Sequence, residues 1–297
     1  MKYLLAILLL CLSFVGQLQA QTPAPKLTTW QDISNLPAPT SGKKIFYGSD
    51  SLQFGELRLP EGKGPFPVVV VIHGGCWLNQ FNYQYMNHMS AALTKAGYAT
   101  WNIEFRRVGD EGGGWPSTFL DVAKSIDHVR ELAKQFDLDK KKVAVVGHSA
   151  GGHLALWAAT RQKLPRTNPL YIKNPMKIKG VVSLAGITDL YTYSQEKGSC
   201  NSAVKSLMGG LPADVPDRYA EGSPKGNIPM NMPVKLVQGE LDPIVPVSQA
   251  ETLANYSSNR KYLVKLVLLP NAGHFDLVAP TSPAWLAVKG AVREVLY

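Results

Sequence analysis

The chain has 297 residues, 45% hydrophobic and 18% charged, which is long and apolar enough to bury a full core and commonly a single domain in an α/β protein. Its formal net charge of +9 is spread through helix ends and loops. The densest run, Lys140-Lys141-Lys142, reads as a solvated turn, and without a basic stripe or a matching motif no nucleic-acid partner is expected.

Met1 to Ala20 has the build of a secretory leader. Lys2 supplies a positive start, Leu4 to Val15 an apolar stretch, and Leu18-Gln19-Ala20 a tolerable cleavage site before Gln21. The apolar run falls short of the roughly 20 residues a spanning helix prefers, so no stable membrane span is expected after cleavage and the mature protein is expected to be secreted or periplasmic. Residues 21–44, rich in Pro, Thr and Ser, read as an extended linker, and 45–297 as one folded domain. Of three cysteines, Cys11 falls in the leader. Cys76 and Cys200 could pair in an oxidising compartment, a point that sequence leaves open.

Within that domain, Lys44–Tyr47 and Leu52–Leu59 suggest an antiparallel edge hairpin. Strands follow near 67–72, 98–104, 142–146, 178–184, 233–238 and 264–269. Helices near 84–96, 117–136, 151–162, 247–256 and 284–296 alternate with them. Such alternation implies a mainly parallel, twisted sheet with helices on both faces. No internal repeat interrupts it. The segment 186–232, rich in Gly, Pro, Tyr and Asn, breaks the alternation and is the natural place for a short cap. With Gly112-Gly-Gly-Trp115-Pro116 it is expected to help shape a substrate pocket; a loop that merely covers the core is the alternative.

Four strand exits carry chemistry. The run Val143-Ala-Val-Val-Gly147-His148-Ser149-Ala150-Gly151-Gly152-His153 joins a buried strand to a helix through Gly-x-Ser-x-Gly, a spacing that lifts a serine to the tip of a sharp, strained turn. The helix N-terminus behind it favours an anion developing there. Pro67-Val-Val-Val-Val-Ile72 ends in His73-Gly74-Gly75-Cys76-Trp77, where glycines let backbone N–H groups face a carbonyl oxygen, and His73 reads as a loop brace. Asp242 and His274 each lie just past the end of a late strand, where ligands bind in open α/β sheets. Glu240 and Asp276 compete with Asp242 for a carboxylate role. His274 is the one histidine after Asp242, whereas His148 and His153 flank the serine and His88 and His128 fall in helix-like stretches, so each of these four reads as a packing or surface residue.

These residues resemble the α/β-hydrolase superfamily over roughly residues 45–297, and within it secreted esterase and lipase-like enzymes of the His-Gly-Gly-x type, a neighbourhood that includes arylformamidase-like and feruloyl or acetyl-xylan esterase-like proteins. The elbow Gly-His-Ser-Ala-Gly-Gly-His-Leu and the loop His-Gly-Gly-Cys-Trp carry the likeness. Cys76 departs from it, standing where many lipases have a third glycine. The resemblance implies a Ser149–His274–Asp242 triad and an oxyanion hole built from the N–H groups of Gly75, Cys76 and Ala150. It also implies a structural pair between the strand-end arginine motif at Asn102–Arg107 and Asp121. The expected activity is hydrolysis of carboxylic esters, on a small-molecule or carbohydrate-linked substrate, with no cofactor and no metal. An arylformamidase-like amide hydrolase using the same triad is one alternative, and a non-catalytic binding protein on the same fold is another.

Overall fold

A computed structural model describes residues 25–198, 200–227, 231–260 and 262–297; the expected leader, residues 1–20, lies outside the described residues. In chain order the elements are α1 (Trp30–Ser34), β1 (Lys43–Phe46), β2 (Phe54–Arg58), β3 (Phe66–Ile72), α2 (Asn87–Lys95), β4 (Ala99–Ile103), α3 (Ser117–Asp127), α4 (Val129–Gln135), β5 (Leu138–His148), α5 (Ala150–Thr160) and β6 (Gly180–Leu184). Then come α6 (Leu190–Gln195), α7 (Ala203–Met208), α8 (Pro216–Gly222), β7 (Val234–Gly239), α9 (Val247–Ser258), β8 (Val264–Leu269) and α10 (Trp285–Leu296). The strands form one eight-stranded sheet in the order β1-β2-β4-β3-β5-β6-β7-β8. β1 and β2 are antiparallel, β2 pairs antiparallel to β4, and the rest is parallel.

The apolar runs of the central strands β3 to β7 are buried on both faces, as parallel strands covered by helices must be, whereas the edge strand β8 is only partly buried. In β3, Val68, Val70 and Ile72 enter one core with Phe119 and Ile126 of α3 and Trp157 of α5, while Val69 and Val71 enter the other with Met89 of α2 and Val288 and Val292 of α10. That period-2 division fixes the register, because a slip of one residue would exchange the two faces. The order also places the functional loops. After β3 the chain steps outward to β4, then returns to the other side of β3 with β5, and Ile72 pairs with Gly147. The His-Gly-Gly loop and the serine turn therefore leave the sheet side by side, at a topological switch point.

Several expectations change in detail. The helix read over 117–136 is two helices meeting at His128, whose carbonyl accepts from both Glu131 and Leu132 N–H. The helix read from 84 begins as a 3-10 turn, Tyr83–Met86, capped by the Asn82 side chain. β5 starts at Leu138 because Lys140–Lys142 bulge out between the pairs Pro67–Asp139 and Val68–Val143, which carries charged side chains clear of a buried strand. The stretch read as extended linker is not wholly extended: Thr29 and Asp32 form a reciprocal capping box that starts α1, and Ile33 is buried against the sheet's second core. Among the described residues no helix is long and apolar enough to cross a membrane.

Candidate active site

β5 delivers Ser149 on a strained turn. Its backbone lies at φ 56°, ψ −123°, a region that costs a non-glycine residue on the order of 1–3 kcal/mol and persists only where the surroundings hold it. They do so by close packing. A Cβ on Gly147 would meet the Gly151 carbonyl at 2.0 Å, and one on Gly151 would meet the Ile72 carbonyl at 2.3 Å. The Ser149 N–H donates to the Leu184 carbonyl at 2.8 Å. Ala150 opens α5, so its N–H has no acceptor inside the helix.

The loop after β3 turns through three consecutive left-handed residues, Gly75 (φ 95°), Cys76 (φ 54°) and Trp77 (φ 58°). Only glycine fits the first position, since a Cβ there would lie 2.2 Å from Phe81 Cβ. Cys76 is held by a disulfide to Cys200, with Cα atoms 5.0 Å apart across 124 residues of sequence. This bond ties the loop to the segment between β6 and β7, and Cys200 lines the pocket beside Ser149. Gly112–Pro116 does not line it. That stretch instead braces the same segment, Trp115 N–H donating to the Leu207 carbonyl at 2.8 Å. His73 is fully buried, its Nε2 2.9 Å from Glu104 Oε1, and it stacks on Phe105. Burial by itself would raise Glu104, yet His73, Arg107 and the Phe105 N–H hold its carboxyl below the usual value. Arg106 forks onto Asp121 through two contacts of 2.8 Å, the expected structural pair.

His274 and Asp242 meet at the ends of β8 and β7. Nδ1 of His274 lies 2.7 Å from Asp242 Oδ2, with both side chains buried. Asp242 is fixed further by N–H donors of Ile244 (2.8 Å) and Val245 (2.9 Å) on Oδ1, and by Gln238 Nε2 at 3.2 Å. The competing carboxylates lie elsewhere. Glu240 is exposed, and Asp276 turns away to accept from Gly273 N–H, Thr28 N–H, Thr28 Oγ1 and Ser282 Oγ. Ser149 and His274 line one small cavity of about 200 Å³ with Gly75, Cys76, Ile244 and the aromatic side chains Trp30, Phe81, Tyr85 and Phe275. Among the described residues no hydrogen bond joins Ser149 to the His274 ring; such contacts often tighten only when substrate binds. A larger hollow of about 910 Å³ lies beside β2, lined by residues such as Pro39, Leu57 and Lys95 and by none of these groups. Among the described residues no group of three or more His, Cys, Asp or Glu side chains could hold a metal ion.

Two flanking histidines, assigned as packing or surface residues by sequence, are polar connectors. Gly74 N–H donates to Tyr85 Oη, Tyr85 lies 3.0 Å from His148 Nδ1, and His148 Nε2 lies 3.1 Å from the His274 carbonyl. Neutral His148 with its proton on Nε2 satisfies every member of this chain. It joins the glycine loop to the loop that carries His274. His153 likewise accepts from Trp77 Nε1 at 3.3 Å and lies 2.9 Å from the Gly222 carbonyl through Nε2. Burial lowers both: His148 well below the usual imidazole value of 6.5, with a further push from His274, and His153 to about 4. An unfolded histidine takes its proton near pH 6.5. Stability is therefore full above about pH 6.5 and declines as pH falls, because the unfolded chain binds the protons first. For His153 alone the loss by about pH 4 is roughly 3 kcal/mol. Urea unfolding should show a lower midpoint at pH 5 than at pH 7.5, and His153→Gln should flatten that slope; an unchanged slope would contradict the neutral assignment.

The switch-point sheet, the serine elbow and the His274–Asp242 pair together define a chain of the α/β-hydrolase fold. It belongs to the BD-FAE family, whose model matches residues 56–256. Among curated proteins it is similar to esterase LipC of Mycobacterium tuberculosis, at 27% identity over 85% of this chain and 65% of that one. It is also similar to the probable carboxylic ester hydrolase LipM of the same organism, at 25% identity over 78% and 54%. The chain thus spans about half to two thirds of the length of these relatives. Among solved structures its fold resembles a carbohydrate esterase from gut microbiota, with a TM-score of 0.75, 23% identity, and coverage of 87% of this chain and 96% of that one. A bacterial heroin esterase shares the fold at a TM-score of 0.68 and 19% identity, over 89% and 87%.

Proposed function

We propose that this protein is a serine-type carboxylic ester hydrolase. One observation carries the reading: a serine on a positive-φ elbow shares a pocket with a histidine whose Nδ1 is 2.7 Å from a buried carboxylate. Ser149 attacks the ester carbonyl while His274 Nε2 takes the hydroxyl proton. Asp242 holds the imidazole with its proton on Nδ1 and stabilises the imidazolium as it forms. The N–H groups of Gly75, Cys76 and Ala150 receive the charge that develops on the carbonyl oxygen, an environment whose donors are in place before the reaction begins. The protonated His274 then passes its proton to the leaving alcohol, and water, activated by the same ring, releases the acid from Ser149.

The size and apolar lining of the pocket support esters with one small group, and the likeness to carbohydrate and carboxylic ester esterases supports a small or sugar-linked ester as the substrate class. Secretion to the periplasm or beyond is part of the proposal. The leader composition and the Cys76–Cys200 bond, of a kind rare in reducing compartments, support it. The test is a panel of p-nitrophenyl esters, acetylated and feruloylated sugars and an N-formyl aryl amine, assayed with the protein lacking residues 1–20. Ester turnover without formamide turnover is the expected outcome, and formamide turnover without ester turnover would overturn the reading.

A further inference from the structure

The segment before β1 contributes a wall to the pocket, and nothing in the proposed chemistry uses it. Thr28 docks this segment on the loop that carries His274: its N–H and Oγ1 reach Asp276 Oδ1 at 3.1 and 2.6 Å, two residues beyond the proposed base. Leu27 closes over Gly273, where an added Cβ would sit 3.1 Å from Leu27 Cδ1. Two residues after Thr28, the half-buried Trp30 places its ring 5.4 Å from Phe81, 5.4 Å from Tyr85 and 5.7 Å from Phe275. Ile33 then buries in the core, so the indole is fixed on both sides.

Trp30 stands between two spaces. On one side is the cavity of about 200 Å³ that contains Ser149 and His274. On the other is a hollow of about 340 Å³ lined by Ile33, Leu36, Pro39, Asn82 and His88. The two share Trp30, Gln80, Phe81 and Tyr85. Tyr85 is tied to Gly74 and His148 and Phe81 lies over Gly75, so both are committed to the loop that faces the carbonyl. Trp30 alone among the shared aromatic residues comes from outside that loop and the turn following it.

Resting on the esterase reading, we propose that Trp30 is a specificity-determining residue: the N-terminal segment inserts it as the partition that limits the size of the ester group entering the pocket. Without the indole the two spaces join and a longer group fits. Discrimination by an apolar wall follows the volume it denies, with roughly 10- to 200-fold in kcat/KM for a methylene-sized mismatch.

The experiment compares wild type, Trp30→Ala and Trp30→Phe on two series, p-nitrophenyl esters from acetate to octanoate and acetates of increasingly large alcohols. In Trp30→Ala the kcat/KM ratio of the longest to the shortest member of one series should rise at least about 10-fold, with Trp30→Phe between it and wild type. The series that shifts identifies the group that the pocket receives. Unchanged ratios in both series, whether rates stay level or fall uniformly, would overturn the proposal while leaving the esterase reading standing. No turnover by wild type on either series would overturn that reading and this one with it. Thr28→Val, which removes the side-chain anchor and keeps the indole, should move the ratio in the same direction by a smaller factor.

Discussion

Ser149→Ala is expected to lower ester turnover by on the order of 10⁴- to 10⁶-fold, the range over which removal of a triad nucleophile leaves only binding and oxyanion stabilisation. The fold should survive. Serine and alanine both carry a Cβ, so the φ of 56° at this position costs them alike, and the Ser149 N–H contact to Leu184 belongs to the backbone. No side-chain hydrogen bond of Ser149 to another described residue holds the turn; the close approach of Gly147 to Gly151 does. A fluorophosphonate probe should therefore label the wild-type protein and miss the variant, while circular dichroism and the melting midpoint stay close to wild type. Labelling of a different serine, or undiminished turnover in the variant, would remove Ser149 from the mechanism.

The parts of this site that were legible in sequence are those in which one residue type is forced by backbone geometry. Gly147 and Gly151 are readable because carbonyl groups come within 2.0–2.3 Å of where a Cβ would stand. Asp242 and His274 are readable because strand ends in a parallel sheet share one edge, whatever the intervening chain does. The pocket walls had no such signature. Trp30 and Phe81 lie in segments without periodicity, Tyr85 opens the helix read from 84, and what brings the three together is long-range packing. A local cue existed for one: Thr29 with Asp32 three residues on is a capping pattern, enough to start a short helix where composition suggested extended chain. The polar roles of His148 and His153 were hidden for a related reason. Their partners, Tyr85, Trp77 and the carbonyls of His274 and Gly222, are between 63 and 126 residues away or on other loops, and an apolar neighbourhood in sequence gives no hint of them. The Cys76–Cys200 bond was open in sequence because two cysteines establish the possibility of a pair and say nothing of distance.

The choice between Asp242 and Asp276 gives the second large effect. Asp242→Asn should reduce kcat by about 10⁴-fold, the scale seen when an amide replaces the orienting carboxylate and selects the wrong imidazole tautomer. The amide oxygen can still accept from Ile244 and Val245 N–H as Oδ1 does now, so the turn should keep its shape and the loss should fall on chemistry. Asp276→Asn should behave oppositely. Its carboxylate accepts from Gly273 and Thr28 and makes no hydrogen bond to the His274 ring among the described residues, so kcat should stay within about 10-fold while the melting midpoint falls, since hydrogen bonds to a charged group contribute roughly 1.5–3 kcal/mol each. Exposed Glu240 provides the control, Glu240→Gln leaving both quantities near wild type. Steady-state kinetics on one short-chain ester, paired with thermal melts of the three variants, separates the two roles. If Asp276→Asn silenced the enzyme at unchanged stability while Asp242→Asn did not, the 2.7 Å contact between Asp242 and His274 would be a structural bond, and the carboxylate that orients the base would have to be sought on the loop after β8.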